Sequence, residues 1–306
     1  MEPIPTPSDT RLPRRALRHR PGQRGLTLIE LLVGITIGLL VVAVATGALM
    51  VSRTVSGSVS DASGLQQQGA YALRVIGQQL RQAGSLYLNP APAGGSSTDV
   101  LGAVVFEIKA SAHGGGNGFE QKDALAGGNT TVTTGFRRYR DEVFVASNAT
   151  DAAIGTDYLA RNCLGGPAND RTDERVESIF NFANGALRCW GNGVADPGEA
   201  LALNVAQFQV TYLVQTVSGG TGTTVEYRKG SDMPADTGNL AWRRVQGIQV
   251  CLVLHGTEPI ELPEGSSYVD CNGNSVDMTT LTDATRKNRA HLLLRNTYQL
   301  RSQGLL

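Results

Sequence analysis

Hydrophobic positions along the 306-residue chain fall into three regimes. Over residues 26–51 the sequence LTLIELLVGITIGLLVVAVATGALMV is apolar at nearly every position. As an α-helix it spans about 39 Å, enough to cross a bilayer. Polar residues return over residues 52–83, while Leu65, Ala72, Val75, Ile76 and Leu80 keep spacings mostly of three, four or seven, the period of an amphipathic helix. The helix is predicted to close at Arg81-Gln82-Ala83, with Gly84 as the left-handed residue just past its end. Beyond Pro90 the texture turns to short stretches rich in Val, Tyr, Phe and Thr between Gly, Asn and Pro. Strands are predicted over residues 100–109, 142–147, 206–217, 223–228, 245–255 and 291–300. A long N-terminal helix followed by antiparallel strands makes the class α+β.

Charge changes this picture at one end only. Lys plus Arg equals Asp plus Glu at 27 each, so the chain as a whole has no electrostatic pull toward nucleic acid or anionic lipid. Arg11, Arg14, Arg15, Arg18, Arg20 and Arg24, however, face only Glu2 and Asp9 ahead of the apolar run. The positive-inside rule keeps that end in the cytoplasm. A secretory signal peptide has an apolar core of about 7 to 15 residues ending at an Ala-x-Ala-like site; this run is longer and ends without one. Glu30 is the only charge within the run. An ionisable side chain in a membrane helix costs roughly 2.5 kcal/mol or more at mid-depth, which marks Glu30 as functional.

The residues Gly25-Leu26-Thr27-Leu28-Ile29-Glu30-Leu31-Leu32 closely resemble the type IV prepilin signature: a Gly, a cleaved bond, usually a Phe, then Thr-Leu-Ile-Glu. Leu26 departs from that Phe. The resemblance implies that a membrane prepilin peptidase cuts between Gly25 and Leu26 on the cytoplasmic face and N-methylates Leu26. Glu30 lies four residues after the new terminus on the same helical face. In a filament it could pair with the terminal ammonium of a neighbouring subunit, enforcing register more than adding stability, because desolvating two charges offsets their attraction.

Shorter blocks resemble the PilW-type minor pilins: Leu73-Arg74, Leu80-Arg81-Gln82-Ala83-Gly84, Asp157-Tyr158-Leu159, Asn162-Cys163-Leu164-Gly165 and Arg295-Asn296. The fold this implies is pilin-like α+β, with the helix's polar half packed on an antiparallel sheet. The implied organisation is a basic leader over 1–25, a membrane-spanning or filament-core helix over 26–51, an amphipathic continuation over 52–84 and a β-rich globular domain over 85–306. That domain would lie in the periplasm before assembly and at the cell surface afterwards. The implied role is a minor pilin that joins or primes a type IV pilus in motility, adhesion or DNA uptake. Its implied partners are the prepilin peptidase, other major and minor pilins and the inner-membrane assembly platform, with the membrane engaged through residues 26–51, no specific nucleic acid and no cofactor. A minor pseudopilin of a type II secretion system shares the leader and helix. A single-span anchored adhesin or enzyme is the reading from another class.

The four cysteines all follow the apolar run, on the side the charge rule places outside the cytoplasm, and an even count there suggests two disulfides. No pair has C-x-x-C spacing, and His113, His255 and His291 are scattered, which argues against zinc. On the pilin reading Cys163 pairs with Cys189 and Cys251 with Cys271, each closing a short loop for roughly 3 kcal/mol. The other two connectivities remain open. Asp270, Asn272, Asn274 and Asp277 suggest a calcium loop, but the sixth position is not Gly and the twelfth is Leu281, so an Asx-rich turn is favoured. Residues 192–199 read as a turn and 114–118 as a surface loop. Arg137-Arg138-Tyr139-Arg140 is a compact basic cluster, read as a solvated loop or strand edge rather than a nucleic-acid contact. No Gly-x-Ser-x-Gly, no His-Glu-x-x-His and no convincing Cys/His pairing is present, and one of the four histidines is His19 in the leader. A non-enzyme without a metal is expected.

Overall fold

The computed structural model describes residues 25–84, 124–148, 151–168, 175–192, 198–218 and 222–300. The leader up to residue 24, the strand expected at 100–109, the loop at 114–118 and residues 193–197 of the expected turn lie outside them. The apolar run and its polar continuation form one helix, α1 (Leu28–Gln82), and the chain divides into two compact units between Thr54 and Val55. In the first unit the apolar side chains of α1 are exposed, Leu28 at 77% and Val44 at 65%. By length and composition this helix can cross a membrane.

In the second unit α1 buries Leu65, Ala72, Leu73, Ile76, Leu80 and Ala83. It ends at Gly84, which takes the left-handed conformation at φ 69° and donates its N–H to the carbonyl of Gly135 at 2.8 Å. The strands are β1 (Leu125–Gly127), β2 (Thr131–Arg137), β3 (Arg140–Asn148), β4 (Asp151–Tyr158), β5 (Arg175–Ala183), β6 (Ala186–Trp190), β7 (Glu199–Ala202), β8 (Val205–Ser218), β9 (Gly222–Lys229), β10 (Val245–Pro259), β11 (Ser267–Val269), β12 (Ser275–Asp277) and β13 (Arg289–Gln299). They make a five-stranded sheet ordered β1-β2-β5-β6-β7, a four-stranded sheet ordered β13-β10-β8-β9, and the two-stranded ribbons β3-β4 and β11-β12.

The four-stranded sheet follows from strict alternation. Phe208, Val210, Tyr212 and Val214 of β8 are buried, and in the register of β10 they lie beside Ile248, Val250 and Leu252: Tyr212 opposite Ile248, Val210 opposite Val250, Phe208 opposite Leu252. The other side of β10 presents Cys251 and Val253 to a smaller cluster with Cys271, Tyr268 and Leu293. There the Cys251–Cys271 disulfide ties β10 to the turn between β11 and β12.

The five-stranded sheet is the part the hydrophobic pattern did not predict. Its inward positions include Ser178 and Thr134, both fully buried beside Val176, Phe180 and Val132. A polar residue at a core-facing position breaks the apolar alternation that identifies a strand.

Close approach between α1 and the sheet depends on two glycines. A Cβ on Gly69 would collide with the Leu294 side chain, and one on Gly77 with the Tyr298 ring. The Tyr298 hydroxyl donates to the carbonyl of Leu73 at 2.6 Å, locking helix to strand. Gly64, by contrast, has open space where a Cβ would go. In urea unfolding of the full chain in detergent, Gly77→Ala is expected to destabilise the head by about 1 to 3 kcal/mol through overpacking. Gly64→Ala is expected to leave it unchanged or stabilise it by up to about 1 kcal/mol through helix propensity.

Candidate functional site

The segment that carries the prepilin-like motif is short and locally determined. Gly25, Leu26 and Thr27 precede the helix, which begins at Leu28. The Thr27 hydroxyl accepts the backbone N–H of Glu30 at 3.3 Å, and the Thr27 carbonyl accepts that of Leu31 at 3.1 Å. Thr27 is therefore the helix N-cap, and Glu30 holds the third helical position. The carboxylate also lies in the first turn, where the positive end of the helix dipole favours it. Thr-Leu-Ile-Glu thus starts a helix two residues past Leu26, at Leu28, on local chemistry alone. Gly25 has no neighbour within 4 Å of a Cβ and no left-handed φ. Among the described residues nothing packs so closely as to ask for glycine there, so a requirement for it would come from whatever binds the segment.

A second polar site joins the head to the last turns of α1. Gln79 is buried at 6% exposure. Its Oε1 accepts the Ser178 hydroxyl at 2.9 Å, and its Nε2 donates to the Arg161 carbonyl at 3.3 Å. Ser178 Oγ accepts the N–H of Cys163 at 3.1 Å, and a disulfide joins Cys163 to Cys189 on β6. Asn162 completes the loop: its Oδ1 accepts the N–H groups of Leu164 and Gly166 at 3.0 and 2.8 Å, and its Nδ2 donates to the Asn192 carbonyl at 3.2 Å. The block Asn162-Cys163-Leu164-Gly165 is therefore a structural clamp that reaches α1 through β5. Ser178 and Gln79, its two polar links, carried no sequence motif. A Gln at a helical core spacing was the available signal.

The basic cluster is not the solvated loop or edge that its composition suggested. Arg138 is 1% exposed and Arg137 9%. The Arg138 guanidinium lies 4.0 Å from the centre of the Tyr158 ring and donates to the carbonyls of Pro167 and Ala168 at 3.1 and 3.3 Å. A cation supplied with an aromatic face and carbonyl acceptors can be buried, and Tyr158 and the 167–168 carbonyls supply both.

The calcium candidates satisfy themselves. Asp270 Oδ1 accepts the N–H groups of Asn272 and Asn274 at 2.8 Å each. Slight desolvation would raise its pKa, but the hydrogen bonds from Asn274 and Asn272 outweigh this and hold the carboxyl below its usual range. Asp277 is held low by the hydroxyl and N–H of Thr279, at 2.6 and 2.7 Å. Among the described residues no three His, Cys, Asp or Glu side chains gather as metal ligands.

Residues 20–46 match the prokaryotic N-terminal methylation motif, and residues 174–302 match the family of type IV pilus-assembly protein W. No curated protein matches the chain. Among solved structures, a type IV-like pilin from Thermus thermophilus is similar over 79% of this chain and 97% of its own, with 12% identity and a TM-score of 0.36, too low to define a shared fold.

Replacing Gln79 by Leu would remove the acceptor of the buried Ser178 hydroxyl proton and a donor to the Arg161 carbonyl. A loss of about 1 to 3 kcal/mol is expected in denaturant unfolding. Adding Ser178→Ala should recover part of it, so that a double-mutant cycle reports a coupling of at least about 0.5 kcal/mol.

Proposed function

Since the chain is a type IV pilus minor pilin of the PilW type, we propose that it is made as a precursor, cut between Gly25 and Leu26 by a prepilin peptidase and N-methylated at Leu26. The observation that carries this is the coincidence of three features at one point. The methylation motif spans residues 20–46, the helix starts three residues past Gly25, at Leu28, and among the described residues none packs against Gly25. Cleavage of the Gly25–Leu26 peptide bond by water leaves the Gly25 carboxylate on the leader and a new amino group on Leu26; after loss of a proton that amine takes the methyl of an electrophilic methyl donor used by the peptidase, the demethylated donor departing.

Before assembly the apolar part of α1 anchors the chain in the inner membrane with the head on the periplasmic side. On assembly it leaves the bilayer, through the assembly platform, to pack among the helices of other major and minor pilins, carrying the head to the cell surface. Glu30 sets the register of that packing by facing the ammonium of a neighbouring subunit. The role is one of assembly, not catalysis, and serves the motility, adhesion or DNA uptake of the pilus it joins. The match to a pilus-assembly family favours a pilus over a type II secretion pseudopilus.

The test is the amino terminus and intact mass of the protein recovered from membranes with and without an active prepilin peptidase. A chain that begins at methylated Leu26 only when the peptidase works is the expected result. Retention of residues 1–25 in both cases would mean an ordinary single-span anchor.

A further inference from the structure

At the end of β10, His255, Gly256 and Thr257 meet α1. Both the N–H and the hydroxyl of Thr257 donate to Asp61 Oδ1 at 3.1 Å, and a Cβ on Gly256 would overlap the Asp61 carboxylate. This clip is backed by two imidazoles. His255 is 8% exposed, with Nδ1 3.1 Å from the Gly256 carbonyl. His291 lies opposite it in the β10–β13 register, the ring centres 6.0 Å apart. Tyr268 of β11 stacks on His291 at 4.2 Å and 6°. The Nδ1 of His291 is 2.9 Å from the Arg289 carbonyl, and its Nε2 is buried without a partner.

The tautomers follow from these contacts. A nitrogen beside a carbonyl must carry the hydrogen, so each ring donates from Nδ1, and His291 keeps a bare lone pair at Nε2. A proton added there would find no acceptor. The surrounding charges oppose protonation as well: Arg286, which donates to the Tyr268 hydroxyl at 2.7 Å, acts against both rings, and Arg289 against His255. Asp283 is the acid that favours a proton on His255; Asp61 of α1 meets the end of β10 at Gly256 and Thr257 rather than at the rings, which lie on the side of β10 that Cys251 and Val253 share, and Glu258 is exposed on β10.

We propose that His255 and His291 form an acid-sensitive latch: neutral imidazoles hold the end of β10 against α1, and their protonation opens the cluster and releases Gly256 and Thr257 from Asp61. The direction follows from burial, the largest effect on both rings. Desolvation lowers the pKa of His255 below its ordinary value and that of His291 to about 4, with Arg286 adding in the same sense. Protons therefore prefer the opened cluster. The latch is fully closed above about pH 6.5 and weakens as pH falls from there through about 4. The latch lies within the head, is independent of processing and is present in precursor and mature chain alike.

The experiment is amide hydrogen exchange at Thr257 in the full chain in detergent micelles, from pH 7 to pH 4 and corrected for intrinsic rates. Amides in the middle of β8 and β10 serve as the control for global unfolding. An increase of about tenfold or more in opening at Thr257 between pH 6.5 and 4.5, with the control amides still protected, is expected. In the double variant His255→Gln/His291→Phe, which keeps a ring stacked on Tyr268, the increase should vanish. The same acid opening in that variant would assign it to the carboxylates and overturn the proposal, as would an unchanged Thr257 down to pH 4. Should the variant not fold, imidazole nitrogen shifts in the unaltered chain decide: both rings neutral at pH 7 supports the latch, and a charged ring at pH 7 overturns it.

Discussion

Burial of the polar half of α1 against the four-stranded sheet is the constraint on which the head depends. Leu73, Ile76 and Leu80 enter the same core as Phe208, Tyr212, Ile248 and Leu252, and no strand of that sheet could hide its inward face without them. Contact this close leaves room only for hydrogen at Gly69 and Gly77 of α1 and at Gly256 of β10. Polar links then fix the register of helix on sheet: Tyr298 to the Leu73 carbonyl, Gln79 to Ser178, and Thr257 to Asp61. Each is directional, so the helix cannot slide or turn without losing several at once. The disulfides at Cys163 and Cys251 anchor the loops that carry or surround these links.

The same helix has a second obligation that the head cannot meet. Its first part exposes Leu, Ile and Val side chains all round. Apolar surface of that extent is stable only in lipid or among other apolar helices. A charge at Glu30 costs free energy in lipid, and the proposed pairing with a neighbouring ammonium would offset that cost. Thr27 satisfies one of the backbone donors at the helix start but leaves the carboxylate available to a partner. A helix that is comfortable in lipid except at one carboxylate is suited to leaving the bilayer for a bundle that supplies the missing cation.

The sequence revealed those parts of the molecule that rest on periodicity or local chemistry. The apolar run and strands β8 and β10 were legible from their apolar positions, β9 and β13 from their content of Val, Leu, Tyr and Thr, and the end of α1 from Gly84. The sheet built on β2, β5 and β6 was not, because Thr134 and Ser178 stand where the pattern needs a hydrophobic residue and are satisfied by tertiary contacts instead. Arg138 misled for the same reason: composition counts its charge, while burial depends on Tyr158 and two carbonyls distant in the chain. The motif at Gly25 and Glu30 was readable from eight residues, and the latch at His255 and His291 only from a strand register.

Glu30 offers the most direct test that this chain is a filament subunit. Glu30→Val makes the apolar run uniform, which strengthens it as an anchor while removing the proposed partner of the neighbouring ammonium. The measurement is the amount of mature subunit in sheared filaments relative to membranes, for the variant and the unaltered chain, with the amino terminus checked in both. The account predicts a variant that is cut at Gly25 yet stays in the membrane and is lost from filaments. Incorporation of Glu30→Val at the level of the unaltered chain would contradict it.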